Sequence, residues 1–144
     1  MTSMFSFEGA AMLQCDFSCM ISQDMFKKWV LPALEEEAAI VKNAIYHWDG
    51  PEALTHTDSL ISSKGLYTLS FMPGAGNGNS INYLDLMKKV QQGGKAVQVF
   101  GSIDEVKYIH KELDPRKVIY TTYAKSQDEA ERLLEWFVRN SQKK

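Results

Sequence analysis

Five times along this chain a short apolar, β-branched or aromatic run is followed by a turn signal and then by apolar residues at helical spacing. The runs lie at 10–17 (AAMLQCDF), 44–48 (AIYHW), 66–72 (LYTLSFM), 96–100 (AVQVF) and 118–123 (VIYTTY). Each is long enough for a strand and too short for a buried helix. A strand that is always followed by a helix dictates parallel pairing through crossover connections. The chain therefore reads as an α/β protein of five strand-helix units on a parallel sheet.

The helices carry their own punctuation. Ser22 is a plausible N-cap with Asp24 in the first turn, and Met25, Phe26, Trp29, Val30, Ala33, Leu34, Ala38 and Val41 fall at helical spacing. Pro32 falls inside that pattern and is expected to kink the helix or to start a second segment. Glu35-Glu36-Glu37 reads as a solvated turn. Pro51 suits the first position of a helix over 52–61. A further helix is expected over 81–92, closed by Gly93-Gly94. Capping boxes at Ser102…Glu105 and Ser126…Glu129 open the last two helices. The tail over 141–144 is polar and expected to fray.

At 144 residues this is one domain, 1–144. Eight units and about 250 residues close a barrel. Five units fit part of a TIM-type (β/α)8 barrel or an open flavodoxin-like sheet. The net charge of −2, with no long basic run, gives no footprint for nucleic acid. No apolar run approaches the length of a membrane span, and 1–14 lacks the pattern of a signal peptide. With only two cysteines, Cys15 and Cys19, a reducing cytoplasmic setting is expected.

In parallel α/β proteins the loops after the strands hold the chemistry. His47 and Asp49 leave the second strand on one face, with Trp48 on the other. Such a pair suits acid-base work or two ligands of a divalent metal such as zinc. Equally, His47 is satisfied by a neighbour and Asp49 caps the next helix. Asp16 is a carboxylate at the end of the first strand. Cys15 and Cys19 are too few for a thiolate site alone, and Cys15 joins a metal set only if the first two loops converge. Gly74, Gly76 and Asn77 belong to a glycine-rich loop between a strand and a helix, open to a phosphate or dinucleotide reading, although the spacing is not GxGxxG. The plainer reading is a mobile loop of small residues. His56 and His110 lie on helices and are expected at the surface.

A set of motifs, in order, resembles one family. Ile21-Ser22-Gln23-Asp24-Met25-Phe26-Lys27-Lys28-Trp29-Val30-Leu31-Pro32 is similar to a helix of the uroporphyrinogen decarboxylase superfamily. That superfamily includes the zinc-dependent corrinoid (methylcobalamin) methyltransferases. His47-Trp48-Asp49-Gly50-Pro51 resembles its "H-x-C-G" or "H-x-D-G" strand end. Phe71-Met72-Pro73-Gly74-Ala75-Gly76 and Leu84-Asp85-Leu86-Met87-Lys88-Lys89-Val90-Gln91 resemble later stretches. The similarity spans about 7–137.

The resemblance implies the C-terminal part of a TIM barrel. It implies methyl transfer to a small acceptor, with zinc and with a corrinoid brought by a partner protein. On it, His47 and Asp49 are the ligand or acid-base residues. Asp49 stands where the methyltransferases have a cysteine, and no cysteine lies in 118–126. Decarboxylation of a tetrapyrrole is the second activity that it implies. The alternatives are a non-catalytic fragment that self-associates or pairs with a missing N-terminal barrel half, and a small phosphate- or ligand-binding module.

Overall fold

A computed structural model describes residues 9–141. The part of the expected frayed tail beyond Ser141 lies outside the described residues. The strands are β1 (Ala10–Gln14), β2 (Asn43–Asp49), β3 (Leu66–Met72), β4 (Ala96–Phe100) and β5 (Val118–Thr121). They form one sheet in the order β1-β2-β3-β4-β5, every neighbouring pair parallel. The order runs straight through the chain, as in a barrel. It lacks the reversal of the flavodoxin-like order 2-1-3-4-5, in which β1 is an interior strand.

The helices are α1 (Gln23–Met25), α2 (Leu31–Ile40), α3 (Thr57–Ser62), α4 (Leu84–Gln92), α5 (Ile103–Glu112) and α6 (Gln127–Ser141). Ser22 caps α1 by accepting from the Met25 amide at 3.2 Å. Phe26–Val30 form a π-helical turn leading into α2, so Pro32 sits in the first turn of a new segment, where its missing N–H costs little. The Glu35-Glu36-Glu37 run is helical and not a turn, because it continues α2 on the outer face, where Glu35 accepts the Lys64 amide. The helices after β2 and β3 each begin with a 3-10 segment, Pro51–His56 and Ser80–Tyr83.

One core holds the chain together, and its membership shows which face the helices cover. Phe26, Val30, Leu34, Ala38, Leu60, Met87, Val90, Val106 and Ile109 come from the helical segments. They pack with Ala44, Tyr46 and Trp48 of β2, Leu69 and Phe71 of β3, and Val97 and Val99 of β4. Within each strand those residues share one parity, and Leu66, also in the core, joins them through a register shift in β3, so all these helical segments lie on the same side of the sheet. Sequential order with right-handed crossovers gives this arrangement. Phe137 of α6 packs against the same core.

Two buried histidines depart from the expectation that they face solvent. His56, 1% exposed, stacks on Phe26 at 4.2 Å and donates Nε2–H to the Ser18 carbonyl at 2.8 Å. It joins the 3-10 turn after β1 (Asp16–Met20) to that after β2. His110, 2% exposed, pairs Nδ1 with the Tyr120 hydroxyl at 2.8 Å and meets Trp136 and Phe137 edge-on. The last helix docks through this aromatic group. An imidazole can present a ring to apolar neighbours and a nitrogen to one polar atom, so helical position alone does not place it outside.

Among the described residues no helix is long and apolar enough to cross a membrane.

Candidate functional site

Trp48 sets the orientation of the second strand. It is 1% exposed, meets Phe71 edge-on at 5.2 Å, and donates its indole N–H to the Ala53 carbonyl at 2.9 Å. Burying about 200 Å² of indole is worth about 5 kcal/mol. A slip of one residue would give that up, so the register is firmly specified. With Trp48 fixed toward the helices, His47 and Asp49 point to the other face.

That other face is not covered by the core helices. Gln14, His47 and Ser70 are successive partners across β1, β2 and β3, and Gln98 continues the same face on β4. Asp49 and Met72 are partners one step nearer the strand ends, as are Phe100 and Thr121. A register shift between Ala44 and Ile45 leaves Tyr67 without a partner on β2. The bulge brings Leu66 and Leu69 to the helix side and Thr68 and Ser70 to this one. Ser70 is 1% exposed and its Oγ has no hydrogen-bond partner. His47 is half-buried and Asp49 is exposed. None of the described strand residues on this face is Lys or Arg.

The other sequence candidates are placed as follows. Asp16 opens the 3-10 turn after β1 and is exposed at the rim, where β1 has ended and offers no register partner. Cys15 packs with Leu13 against the helix-side core, and burial pushes its thiol up from the usual range. It is thus turned away from His47 and Asp49 and favours the protonated form that does not bind metal. Both cysteines are free thiols. Among the described residues no three His, Cys, Asp or Glu side chains form a metal-holding group. His47 and Asp49 alone leave a zinc ion two ligands short of a structural site and one short of a catalytic one, so the residues present do not fit that metal.

The glycine-rich loop lies at the same end of the sheet. Asn77 ties it together by donating Nδ2–H to the Pro73 carbonyl and N–H to the Gly74 carbonyl, while Tyr83 donates to the Asn77 carbonyl. Gly74, Gly76 and Gly78 all have φ near +80°, which keeps side chains out of the loop. Between this loop and the start of α5 is a cleft of about 430 Å³, with Met72, Pro73, Ala75 and Phe100 as apolar wall and Glu105 as its carboxylate. Glu105 Oε2 accepts from the Ser102 amide at 2.7 Å and from its hydroxyl at 2.8 Å, and Oε1 accepts from Asn79 at 3.0 Å. These bonds, that from Asn79 foremost, hold the carboxyl below the usual carboxylate range.

No protein-family model, curated protein or solved structure matches the chain. Sequence pattern located His47 and Asp49 and the glycine-rich loop. It did not find Ser70, whose face depends on a bulge with no sequence mark, or Glu105, which reads as a capping residue until the cleft beside it is seen. The register of β3 against β2 is the signal that finds Ser70.

Proposed function

We propose that the chain is the C-terminal, five-unit part of a barrel of the uroporphyrinogen decarboxylase and corrinoid methyltransferase type. On this reading its helix-free face promotes methyl transfer to a small acceptor. The observation that carries the reading is the position of His47 and Asp49: one face, free of the core helices, at the C-terminal end of a strand in a sequentially ordered parallel sheet. That end is where barrels keep their catalytic residues.

His47 takes the proton from the acceptor, since imidazole is the side chain best suited to proton transfer near neutral pH. Asp49 lies two residues on, about 7 Å along the strand and on the same face. The methyl group would come on a corrinoid held by a partner protein, which supplies an electrophilic carbon. The face left bare by the helices is where that partner, or the remaining units of a barrel, would close over the acceptor. Zinc has no part in this reading, because its ligand set is incomplete. Two free thiols suit a reducing cytoplasm.

Decarboxylation of a tetrapyrrole, a substrate with several carboxylates, gains no support from a strand face without Lys or Arg. The test of the methyl-transfer reading is turnover with free methylcobalamin and a small thiol, native protein against His47→Gln.

A further inference from the structure

The cleft between the 74–78 loop and α5 has a chemistry of its own. It lies at the ends of β3 and β4 and shares Met72 with the row that contains Asp49, its register partner. A glycine-rich turn beside a helix start invites a phosphate, but this helix start is already satisfied. Ser102 caps it, and the Glu105 carboxylate occupies the position an anion would take. A second negative charge there would meet Glu105 at close range with no Lys or Arg among the cleft-lining residues to offset it. A cation finds both Glu105 oxygens already engaged by Ser102 and Asn79, and the first turn of α5 turns the positive end of its dipole to the same spot. Asp104, the other acid of that turn, is exposed and does not line the cleft, so Glu105 meets a ligand as a hydrogen-bonded acceptor.

What remains is an apolar wall with one acceptor. Met72, Pro73, Ala75 and Phe100 supply the surface, and Oε1 of Glu105, which takes a single hydrogen bond from Asn79, has a lone pair left for a donor. Gly101 leaves room for the Glu105 side chain, whose Oε2 a Cβ there would meet at 3.2 Å. We propose that this cleft binds an uncharged, largely apolar small molecule bearing one hydroxyl or similar donor, held at Glu105. The site stands apart from the methyl-transfer reading, since it uses neither His47 nor Asp49 and adjoins their row only through Met72.

The test uses benzyl alcohol, benzoate and benzylamine, which share a ring and differ in charge, followed by amide chemical shifts of the full chain. No methyl donor is present, so the outcome is separate from that of the turnover assay. Benzyl alcohol is expected to bind with Kd of about 1 mM, as suits a ligand of its size. The shifts should be confined to 73–80 and 100–105. Benzoate and benzylamine should bind at least about fivefold more weakly, an amount on the scale of one unfavourable charge contact. Ala75→Trp, which fills the cleft from an exposed loop, should abolish the shifts. Glu105→Gln, which keeps the capping acceptor, should bring benzoate up to the level of the alcohol. Benzoate binding as tightly as benzyl alcohol to the native protein would overturn the proposal. So would shifts that survive Ala75→Trp, or no binding of the alcohol.

Discussion

His47 and Ser70 are register partners on adjacent parallel strands, side by side on the helix-free face, and neither side chain has a hydrogen-bond partner among the described residues. For His47, half in water, this costs little. For Ser70, 1% exposed, it leaves a desolvated hydroxyl with nothing in exchange. Such a hydroxyl is open to a ligand or a water molecule.

Ser70→Ala should therefore stabilise the unliganded protein by about 1 kcal/mol, since it removes an unpaired buried hydroxyl and almost no volume. Urea denaturation of the two proteins measures this. A loss of stability would show that the hydroxyl is paired in solution.

His56 and His47 should separate cleanly. His56→Ala removes a stacked ring and one of the two donors to the Ser18 carbonyl, leaving only the Ile21 amide at 3.4 Å, and should cost about 3 kcal/mol. His47→Ala removes no hydrogen bond and should change stability by less than about 0.5 kcal/mol. Thermal or urea melts of both variants decide the matter. Equal losses would mean that His47 is a structural residue.

Alkali should unfold the protein through its buried phenols. Burial pushes the Tyr46 hydroxyl up to about 12, and raises Tyr120 for the same reason. The folded chain thus holds these protons more tightly than the unfolded chain, whose phenols titrate near 10. Their contribution is fully present below about pH 10 and is lost as pH rises toward 12. Urea midpoints at about pH 9 and about pH 11 should differ in that direction, and Tyr46→Phe should reduce the difference.

Much of this was legible in the sequence. The five units could be read because each strand ends in a turn or cap, such as Gly50-Pro51 or Ser102…Glu105, and local chemistry of that kind survives tertiary packing. The face of His47 and Asp49 followed from alternation alone. Glu35-Glu36-Glu37 misled, because a run of charge looks the same on the outer side of a helix as in a turn. His56 and His110 misled because their burial depends on partners 38 and 10 residues away, Ser18 and Tyr120. Cys15 looked like a neighbour of His47 at the strand ends. Its opposite parity, visible once Gln14 is paired with His47, separates them.

The most direct test of the central claim is the rate of methyl transfer from free methylcobalamin to a small thiol, measured for native protein and for His47→Gln. If His47 is the acid-base residue, the variant should melt with the native protein and turn over about a hundredfold more slowly, the lower end of what such a group contributes. Equal rates, or no turnover by the native protein, would contradict it.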